Sequence, residues 1–373
     1  MKILFVLENY APNIGGVETV FRSLAEGLAS LGHNISIVTH RLKGTKRYEV
    51  INNVKIFRIP CFYSRYLFSF FAIPKTISIA KECDLIHTTT YNGSLPAIIA
   101  SKLLKKPSVI TVHEILGKRW EYCGMGVFSS KIHQLLEKAI VRLSFDYFIA
   151  VSNSTRNELI ESNVKEDKIR VVYNGVDYRL FNPRKYDGKN IRKKLKIGKE
   201  FVYMSYGRPG LTKGIEYIIR AAPLISKKIH NSRLLLILSQ KPKKRYNFIL
   251  KLISSLSLKE EVMLLNPVER EELPAYIKAA DCIVVPSLTE GFGFTAAEAC
   301  AMQKPVVATN TTSLPEIVSG NYVLTKPKSP EDIARGVELI YKNKGNYKKL
   351  KKFTVKDNII NYLKVYRELV SKK

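Results

Sequence analysis

An alternation of short apolar runs with amphipathic stretches, occurring twice along the chain, constrains the fold more than any other feature. Near the start, KILFVL leads into the loop ENYAPNIGG, then VETVFRSLAEGLASLG, then a second apolar run, NISIVTH. In the middle stretch Val20, Leu24 and Leu28, joined by Phe21, Ala25 and Leu31, recur at three and four residues, and Gly32 is a natural stop. That spacing predicts a helix with one apolar face. Further runs follow at DLIHTTT, PSVITVHE and YFIAVSN, with helical patterns between them. Strands apolar on both faces and separated by helices belong to a parallel sheet covered on both sides. NGVDYRLFNP and the polar RKYDGKNIRKK then break the pattern with turn residues. A second series follows: FVYMSYG, RLLLILS, EVMLLN, CIVVPS and PVVATN. The expectation is an α/β chain of two Rossmann-like doubly wound domains, residues 1–178 and 179–355, whose strand ends face a shared cleft. A length of 373 residues exceeds what one core usually serves.

The formal net charge is +29, with most of the excess beyond Tyr178, and it implies attraction to anions: nucleic acid, an acidic membrane face or phosphorylated small molecules. Five cysteines at irregular spacings, with no C-x-x-C, argue against a disulfide framework or a zinc site and favour reducing cytoplasm. No window reaches the ~20 apolar residues that span a bilayer. CFYSRYLFSFFAIPK at 61–75, aromatic with flanking bases, has the composition of an interfacial segment, although a core helix would read the same.

Four places carry residues fit for chemistry. Gly15 and Gly16, between the first strand and helix, let backbone N–H groups approach a phosphate. The spacing is not G-x-G-x-x-G, so no dinucleotide fingerprint is present. His113 ends SVITV, where an imidazole could bond a sugar hydroxyl or a leaving oxygen, or simply be a satisfied polar group. GRPGLTKG puts Arg208 and Lys213 on a glycine-rich turn after a strand, and a planar fork with a point charge suits a pyrophosphate. A solvated basic loop is the alternative. EGFGFTAAE follows CIVVPS and sets Glu290 and Glu298 around Gly291, Phe292, Gly293 and Phe294, with a helix expected from about Thr295. Thr295 and Glu298 have the spacing of a capping box, which would make Glu298 a helix-end device. Glu290 then has no structural duty, and reads as an acceptor for hydroxyls beside a basic pyrophosphate site.

With these residues in place the chain resembles a family 4 glycosyltransferase, a retaining transferase with the GT-B fold. EGFGFTAAE matches the family's paired glutamates, GRPGLTKG its G-R-x4-K-G pattern, and NIGGVE, VITVHE, AVSNST and VVYNGVD match in order over nearly the whole chain. The resemblance implies that Arg208 and Lys213 hold the donor diphosphate and that Glu298 takes the ribose hydroxyls. It implies that Glu290 and the backbone of Gly291, Phe292, Gly293 and Phe294 bind the donor sugar, that His113 touches that sugar, and that Gly16 lies near phosphate. His113, Glu290, Arg208 and Lys213 are then the catalytic set. It further implies a metal-independent enzyme moving a hexosyl or N-acetylhexosaminyl unit from a nucleotide sugar such as UDP- or GDP-hexose to a glycan or lipid-linked acceptor. A final helix, residues 356–373, would cross back to the first domain. Departures are SQKPKKR, where the family often has Gly-x-Gly, and Thr312 and Ser313, where it usually has two glycines.

A nucleotide-sugar epimerase on the same architecture is the alternative within enzymology; a phosphorylase-like protein would need a pyridoxal-binding lysine context that the sequence lacks. A nucleic-acid-binding protein is the alternative from outside it, but the basic charge is spread and no binding module is present. Nucleic acid is therefore not expected as a partner. Contact with an anionic membrane and a place in the cytoplasm or at the membrane's cytoplasmic face complete the expectation.

Overall fold

The computed structural model describes residues 1–13, 15–62, 64–124 and 126–372. They divide into two compact units: Met1–Trp120, Gly126–Gly175 and Phe353–Lys373 form the first, and Glu121–Met125 with Val176–Lys352 the second.

In the first unit the order is β1 (Lys2–Leu7), α1 (Gly16–Ser30), β2 (Asn34–His40), β3 (Tyr48–Ile51), β4 (Val54–Ile59), α2 (Arg65–Phe71), α3 (Ile73–Ala80), β5 (Leu85–Thr89), α4 (Ser94–Leu104), β6 (Ser108–Val112), α5 (Val127–Val141), β7 (Tyr147–Ala150), α6 (Asn153–Glu161) and β8 (Ile169–Val171). Among the described residues the sheet runs β3-β4-β2-β1-β5-β6-β7-β8, parallel apart from the β3–β4 hairpin. That hairpin turns on Asn52 and Asn53, both left-handed (φ 49° and 63°), the pairing a tight two-residue turn requires.

Alternation along β1 explains why both faces are covered. Ile3, Phe5 and Leu7 enter one core cluster and Leu4 and Val6 the other. The first cluster holds Phe21, Leu24 and Leu28 of α1; the second holds Phe68 of α2, Ala80 of α3, Ala97 of α4 and Leu159 of α6. Leu31, expected on the inner face of α1, is instead exposed, because it is the helix's C-cap and points past the core.

The second unit contains α7 (Lys189–Lys194), β9 (Phe201–Gly207), α8 (Ile215–Lys228), β10 (Ser232–Leu238), α9 (Lys243–Ser255), β11 (Val262–Leu265), α10 (Leu273–Ala279), β12 (Cys282–Val285), α11 (Phe294–Ala301), β13 (Val306–Thr309), α12 (Leu314–Ile317), β14 (Gly320–Thr325), α13 (Pro330–Tyr341) and β15 (Asn346–Lys348). Its sheet runs β11-β10-β9-β12-β13-β14-β15, parallel except for the edge strand β15. β9 thus lies between β10 and β12, where the connection order reverses and open α/β sheets place ligands.

The last helix, α14 (Val355–Ser371), belongs to the first unit, where Tyr362, Leu363, Tyr366 and Leu369 join the cluster built on β1 and α1. Gly27 of α1 leaves room for it: a Cβ there would lie 2.2 Å from Ile359 Cδ1. A buried polar chain also fixes it. His87 bonds Tyr366 Oη through Nδ1 (2.6 Å) and Thr111 Oγ1 through Nε2 (2.8 Å), and Thr111 Oγ1 meets Tyr362 Oη at 3.0 Å. Burial pushes His87 down to about 3, so these bonds form with a neutral ring.

Candidate functional site

In the second unit, neighbouring strands β9 and β12 deliver two loops side by side. Arg208, exposed, follows the last residue of β9, and Lys213, half-buried, ends a short 3-10 turn at Leu211–Lys213. Gly214 then opens α8 with φ 61°, and a Cβ there would lie 2.1 Å from Pro286 O, so only glycine lets this turn close against the β12 loop. The Leu288 N–H donates to Thr212 O at 2.7 Å and ties the loops together.

Glu290 is the junction of the two loops. Lys213 Nζ lies 2.6 Å from its Oε1, and Ser287 Oγ donates to the same oxygen at 2.7 Å. The Glu290 N–H donates to Thr312 Oγ1 (2.8 Å), and Ser313 Oγ donates to Glu290 O (2.9 Å). Thr309 Oγ1 and Thr311 Oγ1 hold the carbonyls of Ser287 and Leu288. Glu290 therefore has a structural duty, contrary to the sequence reading, because its carboxylate neutralises a lysine that the fold brings alongside. Thr312 and Ser313 supply with side chains what pins this residue's backbone.

Gly293, left-handed at φ 89°, is the N-cap of α11, and no side chain caps the helix. The turn is completed one residue earlier than expected, so Phe294 is already helical and Thr295 lies inside the first turn. The capping-box alternative for Glu298 fails for the same reason. Glu298 is buried and faces β9: Tyr206 Oη donates to its Oε2 at 3.0 Å and Arg270 Nη2 to its Oε1 at 3.2 Å. Burial raises its pKa, opposed by the Arg270 charge and these hydrogen bonds. Arg270 stays 44% exposed, its guanidinium 5.3 Å from the Phe181 ring. Phe292 is buried and meets Phe294 edge-on at 5.1 Å.

The remaining candidates lie in the first unit. Gly15 is the N-cap of α1 and Gly16 its first residue; Ile14 lies outside the described residues. Glu18 turns back over the loop and accepts from Asn13 Nδ2 at 2.9 Å. His113 follows β6. Its Nε2 is buried without a hydrogen-bond partner among the described residues, and burial lowers its pKa to about 4. It is a neutral imidazole with a nitrogen to spare.

Chemically, the second unit places cations for an anion beside two nearly buried carboxylates able to accept hydroxyl hydrogens. Sequence reasoning missed Tyr206, Arg270 and Ser287. Tyr206 and Ser287 had a signal, both lying at strand ends; Arg270 had none.

The chain is similar to known proteins. The family model "Glycosyltransferase Family 4" matches residues 14–180 and "Glycosyl transferases group 1" matches residues 187–357. An uncharacterized glycosyltransferase of Methanocaldococcus jannaschii is 31% identical over 362 residues, covering 92% of this chain and 90% of the relative. The phosphatidylinositol N-acetylglucosaminyltransferase GPI3 subunit of Saccharomyces cerevisiae is 25% identical over 327 residues, covering 85% and 70%. Among solved structures, Anabaena HepE in complex with UDP-glucose superposes with a TM-score of 0.76 at 20% identity, covering 99% of this chain and 100% of that one. The chain belongs to glycosyltransferase family 4 and is a glycosyltransferase with the GT-B fold.

Proposed function

We propose that the second unit binds a nucleoside diphosphate hexose or N-acetylhexosamine, and that the enzyme transfers the sugar with retention, without a metal, to a hydroxyl of a glycan or lipid-linked acceptor. The observation that carries this is the Lys213–Glu290 pair, 2.6 Å apart on two loops locked together at the ends of β9 and β12. A cation that neutralises diphosphate thereby sits against a carboxylate that can hold the sugar's hydroxyls. Arg208, five residues before Lys213 in the same loop, adds the planar fork, and Glu298 takes the ribose. The UDP-glucose held by the Anabaena protein supports a uridine donor, and the yeast relative's name supports a lipid acceptor. These relatives also favour transfer over the epimerase alternative.

In this reading the C1–O bond to the diphosphate breaks and the acceptor oxygen bonds C1 on the same face. Its proton passes to the departing phosphate oxygen. Arg208 and Lys213 stabilise the growing charge, an electrostatic role worth about 3–4 kcal/mol of barrier per lost donor. For His113 and Gly16 the proposal rests on their motifs; the neutral His113 ring can bond a hydroxyl without adding charge.

Thermal unfolding against UDP, GDP, ADP and their hexose conjugates in EDTA, for wild type and Arg208→Ala, tests the reading. A rise with one nucleotide that the variant loses is expected. No rise with any of them in folded protein would overturn it.

A further inference from the structure

Helix α5 turns a run of apolar side chains outward. Val127 is 71% exposed, Phe128 80% and Leu135 66%, and Ile132 and Leu136 are exposed as well. Phe128, Ile132, Leu135 and Ala139 recur at four, three and four residues and form one outward stripe. Lys131, Lys138 and, just past the helix, Arg142 flank it, all exposed. The helix's one acidic residue, Glu137, faces inward and is buried. It accepts the N–H groups of Leu116 (3.0 Å) and Gly117 (2.7 Å) and Tyr91 Oη (3.3 Å).

The next residue along, Asn92, connects to α2, whose Ser69 Oγ donates to Asn92 O at 3.1 Å. Helix α2 buries Phe68 but exposes Tyr66, Leu67, Phe70 and Phe71, and Phe62 just before it is 82% exposed. The aromatic stretch read at 61–75 is therefore two short helices with most of its rings outward; Tyr63 lies outside the described residues. Neither α2 nor α3 contains an acidic residue, so none of α2, α3 and α5 turns a carboxylate to solvent.

We infer that the α5 stripe, together with the outward rings of α2, docks in the plane of an anionic bilayer. Clustered exposed apolar side chains mark an interaction surface. Exposed apolar side chains flanked on α5 by Lys131, Lys138 and Arg142 match the acyl boundary and the anionic headgroups. On these three helices a protein partner would find no exposed carboxylate with which to pair its own bases. No helix among the described residues is long and apolar enough to cross a membrane, which leaves in-plane contact as the mode for helices of this kind. The contact stands on this surface alone; only the added conclusion, that the acceptor is reached at the bilayer, rests on the transferase reading.

The sole tryptophan, Trp120, packs 4.8 Å from the His133 ring of α5 and supplies a reporter. The test is flotation of the full chain with vesicles of phosphatidylcholine, with and without phosphatidylglycerol, at low and high salt, alongside Trp120 emission. Wild type should float with the anionic vesicles, less at high salt, with a change in Trp120 emission. Phe128→Ser with Leu135→Ser should lower partitioning at least about tenfold, and Lys131→Gln with Lys138→Gln about fivefold per charge. Both pairs should keep the wild-type unfolding temperature and nucleotide response, so that failure here and failure of the donor reading are separable. Absence of flotation at low salt, or flotation unaffected by either pair, would overturn the inference. So would a dimer that Phe128→Ser with Leu135→Ser splits while vesicles leave the protein unbound, which would assign the stripe to a second copy.

Discussion

Glu298→Gln separates a binding role from a structural one, because the two readings give opposite signs. Glu298 is buried, and its ionised form is supported by one hydroxyl and one guanidinium that remains 44% exposed. Its pKa is raised from the ordinary 4.5 chiefly by burial. For an acid with a raised folded pKa, stability is fully present below the unfolded value and is lost as pH climbs through the folded one. The glutamine variant carries no such loss, so its stability relative to wild type should improve as pH rises above about 4.5. Donor affinity should move the other way. Two ribose hydroxyls bonding a carboxylate are worth about 1.5–3 kcal/mol each, and a carboxamide keeps one acceptor oxygen. About half of the sum is lost, raising Kd by roughly 10- to 150-fold. Calorimetric titration with the nucleotide found in the panel, together with urea unfolding at pH 5 and 7, measures both. Unchanged affinity in a variant destabilised by several kcal/mol would show that Glu298 is a core polar group and nothing more, and would refute the reasoning.

Gly214→Ala should destabilise the second unit by at least about 1–3 kcal/mol, since its φ of 61° and the 2.1 Å approach to Pro286 O leave no room for a methyl; denaturant unfolding checks this. Tyr366→Phe should cost about 1–3 kcal/mol by stranding buried His87 Nδ1, with the loss confined to the first unit in hydrogen exchange and donor binding untouched.

Much of the architecture is legible in the chain because central strands of a parallel sheet are apolar on both faces: ILFVL, SVITV and CIVV stand out wherever they occur. The strands of the hairpin at one end of the first sheet do not. YEVI and VKIFRI alternate with charge because one side of the β3–β4 hairpin is wet, and the signal that could have found them is Asn52–Asn53 between two alternating runs. In the site, Arg208, Lys213, Glu290 and Glu298 are conspicuous from glycine spacing and from carboxylates at a strand end. Their partners are not, since Lys213 meets Glu290 across 77 residues and Tyr206 meets Glu298 across 92. Such pairings arise from strand order and leave no local pattern. The same cause hid the structural duty of Glu290 and left a capping box at Thr295 and Glu298 open as an alternative: local rules describe a helix end, while what a carboxylate faces is settled by the neighbouring strand.

The placement of α14 bears on the order in which the chain can fold as it is made. The first unit's core cluster includes Tyr362, Leu363, Tyr366 and Leu369, the last of which follow more than half the chain's synthesis after β8 is complete. The second unit draws almost wholly on the continuous stretch Val176–Lys352. Domains usually form in the order in which they leave the ribosome; here the later one can close first. The earlier waits with one face of its sheet, Ile3, Phe5 and Leu7 included, short of part of its cover. Chaperone demand should therefore fall on nascent residues 1–175 until the final helix emerges, and removal of residues 353–373 should leave that half, and not the second unit, unable to mature.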